Sequence, residues 1–110
     1  SIHIEYGYTI HSAVASDVAV NTYRIIQEAL TNIIRHSGAS TASIHLSETD
    51  DHFKLIISDN GKGFGPQTIS NGIGLNNIYS RVDLLKGKIQ ISTNQGKGST
   101  FTITIPNKLS

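Results

Sequence analysis

Residues 52–65 read HFKLIISDNGKGFG. Phe53, Leu55 and Ile57 alternate with more polar neighbours, the period-2 pattern of a strand with one buried face. The run ends on a single acidic residue, Asp59, and glycines follow at 61, 63 and 65. Glycine carries an entropic cost on folding, and it serves where φ is positive or where something must approach the backbone closely. Two readings fit. Asn60-Gly61 is a strong turn signal. Alternatively, a carboxylate at a strand end can accept a hydrogen bond from an exocyclic amine while a flat base lies against bare backbone; a charged hydrogen bond contributes about 1.5–3 kcal/mol. The commoner nucleotide loops are excluded by spacing. The chain has no G-x-x-x-x-G-K-[ST], and Gly61, Gly63 and Gly65 followed by Pro66 do not make a G-x-G-x-x-G that opens a helix.

Working outward, TASIHLSE (41–48) places Ala42, Ile44 and Leu46 on one face, and TDD joins it to the strand above as a hairpin. IHIEYGY (2–8) alternates as a half-exposed strand, with Gly7 inside it. KIQIST and STFTITIP flank NQGKG, a second hairpin with glycines in its turn. Residues 60–72 read as a loop rich in Gly, Pro, Asn and Ser. IGLNNIYSRVDLLKG predicts a helix over 73–87, with Ile78, Val82 and Leu85 at helical spacing and Gly87 at its end. A longer helix is predicted from an N-cap at Ser16 to a left-handed terminus at Gly38, with Val18, Tyr23, Ile26, Leu30, Ile33 and Ile34 as its apolar residues. Strand, helix, hairpin, loop, helix, hairpin suggests an α/β (α+β) two-layer sandwich: a mixed, largely antiparallel sheet with both helices on one face.

Several polar residues sit where packing alone does not ask for them. Glu28 and Asn32 are four apart and share a helix face. They read either as the solvent stripe of an amphipathic helix or as a pair facing a cleft. In the cleft reading the carboxylate orients or deprotonates a reacting group, and the carboxamide oxygen ligates Mg²⁺, which prefers hard oxygen donors. Arg35 and His36, one turn on, read either as cations at the negative helix end or as phosphate contacts. Gly72 and Gly74 introduce the second helix, whose N-terminal amides favour anions; the plain alternative is an ordinary helix entry.

Taken together and in order, these stretches resemble the ATP-binding domain of the GHKL superfamily, which includes gyrase, heat-shock chaperones, histidine kinases and the mismatch-repair MutL proteins. QEALTNIIRH looks like its N box, DNGKGF like its first glycine box, GIGL like its second and GKGSTFTITIP like its closing strand. The resemblance spans roughly residues 20 to 106 and is greatest to the nitrate-sensor and DesK-like branch of bacterial sensor histidine kinases. It implies the Bergerat-type ATP-binding fold, with ATP and Mg²⁺ as cofactors. By position it implies that Asn32 ligates Mg²⁺, Glu28 orients or activates the attacking group, and Asp59 holds the adenine amine. Gly61 and Gly63 would give the ring room, and Thr100 would support the adenine side. Gly72 and Gly74 would hinge a lid and present amides to phosphate, and Arg35 and His36 would contact phosphate.

The resemblance also implies a partner. The five histidines are followed by Ile, Ser, Ser, Leu and Phe, so none has the adjacent acidic residue of a phosphoacceptor. The expectation is one ATP-binding catalytic domain, residues 1–110, from a longer kinase. Its phosphoacceptor would lie on a separate dimerisation domain, a response regulator would follow indirectly, and the fragment alone would not phosphorylate itself. Two alternatives share the fold: an anti-sigma-factor serine kinase, and a non-catalytic module whose docking is controlled by ATP. The bulk composition agrees. A chain of 110 residues holds one domain, and its net charge of +1 makes no electrostatic case for nucleic acid. The absence of cysteine rules out disulfides and thiolate chemistry and fits a cytoplasmic domain, whose parent could still be membrane-anchored.

Overall fold

The computed structural model describes residues 2–10, 14–49, 51–62, 75–94 and 96–106. The chain runs through β1 (His3–Thr9), α1 (Ser16–Asn32), a π-helical turn (Ile33–Ser37), β2 (Thr41–Glu48) and β3 (His52–Asp59). It continues through α2 (Leu75–Leu84), β4 (Lys88–Asn94) and β5 (Gly98–Pro106). The strands form one sheet in the order β1-β2-β3-β5-β4. β1 runs parallel to β2, and the other three pairings are antiparallel. The two-layer sandwich with a mixed, largely antiparallel sheet is therefore the fold that the sequence pattern predicts.

Register explains where the core lies. Ile44, Ile57, Phe101 and Ile91 align across four strands, and so do Leu46, Leu55, Ile103 and Ile89. These rows face Ile25, Ala29 and Ile33 of the first helical segment and Ile78 and Val82 of α2, in one buried cluster. The next row towards the strand ends is Ala42, Asp59, Ser99 and Thr93. Beyond the last apolar row, the helix-facing side of the sheet thus becomes polar at one edge of the core.

The helices differ from expectation in instructive ways. Ala15, not Ser16, occupies the N-cap position, with no side-chain cap; the Ala19 N–H bonds the Ala15 carbonyl at 2.9 Å. The stripe of α1 that is buried runs through Thr22, Ile25, Ala29 and Asn32, whereas Tyr23 and Ile34 are exposed. Half of this helix's surface is apolar enough to face a core, so periodicity alone left the facing angle open by one residue. Gly38 takes the predicted left-handed conformation, φ 67°, but the turn before it is π-helical rather than α-helical. At the end of α2, Lys86 adopts the left-handed φ of 57°. The Gly87 N–H bonds the Val82 carbonyl and the Lys86 N–H bonds the Asp83 carbonyl, both at 2.9 Å, which makes a Schellman ending. Gly87 is required for another reason: a Cβ there would lie 2.6 Å from the Thr104 carbonyl oxygen.

Candidate functional site

The site forms where α1 and its π-helical turn pass over the polar end of the sheet. Ala29 and Ile33, one turn apart, pack against Ile57 and Phe101 around a gap too small to hold a water, and Asp59 lines the same gap. Asp59 is there because the β3 alternation that buries Phe53, Leu55 and Ile57 puts residue 59 on the same side. Its Oδ1 accepts the Gly61 N–H at 2.8 Å. Burial pushes the Asp59 carboxyl above the usual carboxylate value, and the Gly61 hydrogen bond pulls the other way. The Gly61 N–H on Oδ1 orients the carboxylate, and among the described residues Oδ2 remains for a further donor.

The chain leaving β3 is clamped on both sides. Asn60 Oδ1 accepts from the backbone N–H groups of Ser40 and Thr41, each at 2.9 Å, and its Nδ2 donates to Ser40 Oγ. The Lys62 N–H donates to the Ser37 carbonyl at 2.8 Å, and the Lys62 carbonyl accepts from Gly96. Ser37 is buried, and its Oγ bonds the Ile33 carbonyl at 2.6 Å and receives the Ala39 N–H at 3.0 Å. This hydroxyl closes the π-helical turn, a geometry that recurs at functional sites. Gly61 is buried against that turn. A Cβ on it would collide with the Ser37 carbonyl, lie 2.7 Å from Ser37 Cβ and lie 2.9 Å from Asp59 Oδ1. The room that Gly61 leaves is thus filled by Ser37 and the carboxylate itself, not kept open for a ring. Gly98 plays the same part from the other hairpin: at φ 93° it brings its backbone against the Asp59 carbonyl.

Of the helix pair, Asn32 is 4% exposed and Glu28 is half-buried, so Asn32 does not belong to a solvent stripe. Asn32 Nδ2 is buried without a hydrogen-bond partner among the described residues. An unpaired buried amide costs about 1–3 kcal/mol and calls for an explanation. Arg35 is exposed on the π-helical turn. His36 shares that turn. Gly63, Gly72 and Gly74 lie outside the described residues.

Thr100 is the residue that the structure moves. It pairs with Ser58, and the two hydroxyls lie 3.2 Å apart on the face away from the helices. Ser99 pairs directly with Asp59 and is 4% exposed, with its Oγ 3.1 Å from Thr93 Oγ1. The hydroxyl beside the carboxylate is therefore that of Ser99. The signal was in the sequence: Phe101, Ile103 and Ile105 mark the inner face of β5, and period 2 carries that face to residue 99 rather than 100.

Comparison with known proteins bears on this geometry. The family described as histidine kinase-, DNA gyrase B- and HSP90-like ATPase matches residues 17–109. The chain is 38% identical over 90 residues to the signal transduction histidine-protein kinase/phosphatase DegS of Brevibacillus brevis, covering 81% of this chain and 23% of that protein. It is 33% identical over 96 residues to the sensor histidine kinase LiaS of Bacillus subtilis, covering 86% of this chain and 27% of that protein. The chain thus spans about a quarter of the length of these relatives. Among solved structures, the Acinetobacter baumannii histidine kinase AdeS superposes with a TM-score of 0.81 at 24% identity, over 97% of this chain and 55% of that one. The mycobacterial sensor histidine kinase MprB superposes with a TM-score of 0.76 at 21% identity, over 97% of this chain and 83% of that one. At those identities the superpositions speak for the fold. No helix among the described residues is long and apolar enough to cross a membrane.

Proposed function

The chain belongs to the histidine kinase-, DNA gyrase B- and HSP90-like ATPase family, and from that premise we propose that it is the ATP-binding catalytic domain of a two-component sensor histidine kinase. The observation that carries this reading is the Asp59 carboxylate, oriented by the Gly61 N–H at the polar end of the sheet, together with the buried Asn32 on the helix packed over that sheet, whose Nδ2 has no partner among the described residues. Asp59 Oδ2 would accept the exocyclic amine of a flat base, and the neighbouring Ser99 hydroxyl would take a second polar edge of the base.

Asn32 fits a divalent cation in its donor chemistry. Its carboxamide carries a hard oxygen, while its Nδ2, a donor with no partner among the described residues, would be met by an acceptor such as a phosphate oxygen. Asn32 would hold Mg²⁺, which when bound neutralises charge on the β- and γ-phosphates. Glu28, one turn earlier, would orient the attacking group. Arg35 and His36 would meet phosphate, and Gly72 and Gly74 would hinge the lid and present backbone amides to it, with Gly63 at the lid's entry. The γ-phosphoryl would pass from ATP to an imidazole nitrogen on a separate dimerisation domain, breaking the bond to the ADP oxygen, and a response regulator would receive it later. The chain's own contribution is positioning and charge complementarity rather than a covalent intermediate. The domain would work in the cytoplasm, where ATP is, with no nucleic-acid contact.

Calorimetric titration with ATP and ADP, with and without Mg²⁺, tests this reading. Mg²⁺-sensitive binding that disappears in Asp59→Asn is the expected result. Unaltered binding by that variant would remove Asp59 from the base pocket. Absence of nucleotide binding in the wild type would favour a docking module.

A further inference from the structure

We propose that Asn60 is a positioning residue: its side chain completes the β2–β3 ladder, so that the backbone can turn at Gly61 and hold the Asp59 carboxylate ready for an amine. This role rests on the reading of Asp59 as the acceptor for the exocyclic amine of the base. Asn60 is exposed, so burial does not explain it. Ala42 and Asp59 form the last pair of the β2–β3 ladder. One step further, the Asn60 N–H still reaches the Thr41 carbonyl, at 3.2 Å. In a regular hydrogen-bonded pair the Thr41 N–H would return to the main-chain carbonyl of residue 60. Here it bonds the side-chain Oδ1 at 2.9 Å, and the Ser40 N–H joins it on the same atom, also at 2.9 Å. Two donors on one atom identify it as the carboxamide oxygen, and Nδ2 donates to Ser40 Oγ at 2.9 Å. The side chain thus takes the place of the main chain in the ladder, and the main chain is free to leave it.

That freedom is used by the next residue. The Gly61 N–H bends back onto Asp59 Oδ1 at 2.8 Å, a bond from a side chain to the backbone two residues on, as in an Asx-turn. The backbone of Asp59 is fixed by its pairing with Ala42 and Ser99. The orientation of its carboxylate therefore depends on where the Gly61 N–H is delivered. The far side of the turn is held by the Lys62 N–H on the Ser37 carbonyl at 2.8 Å, and the near side by Asn60. Hydrogen bonds weaken steeply as they leave the line of the donor. Loss of the Asn60 side chain should thus cost recognition of the amine and spare whatever holds the phosphates.

Calorimetric titration with ATP and with purine riboside triphosphate isolates the exocyclic amine, the group by which the two differ. The wild type is expected to favour ATP by about 10- to 150-fold, the worth of a charged hydrogen bond. Asn60→Ala is expected to cut that preference at least about threefold, chiefly by weakening ATP. Asn60→Asp keeps an acceptor for both amides and for the Ser40 hydroxyl, and its added charge acts on both triphosphates alike, so the preference should return towards wild type. A merely structural residue would weaken both nucleotides together and leave their ratio unchanged. Amide exchange in the nucleotide-free domain gives a second readout: Gly61 should exchange faster in Asn60→Ala while Leu55, in the middle of β3, keeps its protection. An unchanged preference in Asn60→Ala, when Asp59→Asn abolishes it, overturns the proposal and leaves the base pocket standing. Gly61 exchange no faster than in wild type overturns it as well, as does a loss of Leu55 protection, which would make Asn60 a folding residue. A wild-type preference near one, or one that survives Asp59→Asn, would instead remove the base from Asp59, and this role from Asn60 with it.

Discussion

Replacing Gly61 by alanine separates the two things that a glycine after Asp59 can do. If the glycine keeps space for a ligand, the alanine variant folds normally and binds nucleotide poorly. If it lets the chain pass the end of the helix, the variant is unstable before any ligand is added. The geometry supports the second. The new methyl would collide with the Ser37 carbonyl and lie 2.7 Å from Ser37 Cβ, and both belong to a turn held by the Ser37–Ile33 hydrogen bond. Relief requires moving residue 61 outward, which breaks the 2.8 Å bond from Lys62 to Ser37. Overpacking costs about 1–3 kcal/mol, and the lost hydrogen bond about 0.5–1.5 kcal/mol. The sum is about 1.5–4.5 kcal/mol. At roughly 4–8 °C per kcal/mol for a domain near this size, the melting temperature should fall by about 6–36 °C. Urea denaturation and thermal unfolding without nucleotide measure it directly. A Gly61→Ala midpoint indistinguishable from wild type would refute the packing argument and return Gly61 to the ligand.

Other variants test neighbouring links. Asp59→Asn should abolish ATP binding while helping the empty domain at neutral pH. The folded carboxyl sits above its ordinary value of 3.8 because burial disfavours its charge, so Asp59 contributes most to stability below that pH, and the contribution is lost as pH rises through the raised folded value. The urea midpoint of Asp59→Asn relative to wild type should therefore improve from about pH 4 to pH 7; a pH-independent gap would refute the desolvation. Asn32→Leu should leave the empty domain within about 1 kcal/mol of wild type or above it, because it removes a buried unpaired amide, and should abolish the Mg²⁺ dependence of ATP binding. A large loss of stability would mean that Asn32 is a structural residue. Ser99→Ala should weaken ATP binding by roughly 0.5–1.5 kcal/mol, the worth of one hydrogen bond, and Thr100→Ala should not; the reverse order in calorimetry would put the base on the other face of β5.

The sequence carried the elements because their signals are local. Alternation at Phe53, Leu55 and Ile57 defines β3, glycines with positive φ at 96 and 98 turn the second hairpin, and Gly38 ends the first helical segment. The boxes that carry the family resemblance are equally local, and so were Asp59 and the Glu28–Asn32 pair as candidates. Even Ser99 could be read from the period of β5. What the sequence could not supply was the facing angle of α1 and its π-helical turn, because Ile34 is as apolar as the buried Ile25 and Ile33, and Tyr23 carries a large apolar ring, so only the sheet beneath decides between them. Nor could it reveal that the space at Gly61 is filled by Ser37, which lies 24 positions earlier in the chain, or that Asn60 ties two strands together. Such contacts depend on register and on the π-helical turn, where one residue of offset changes every partner. Local chemistry wrote the elements and the candidate residues, and only long-range packing decided which atoms meet.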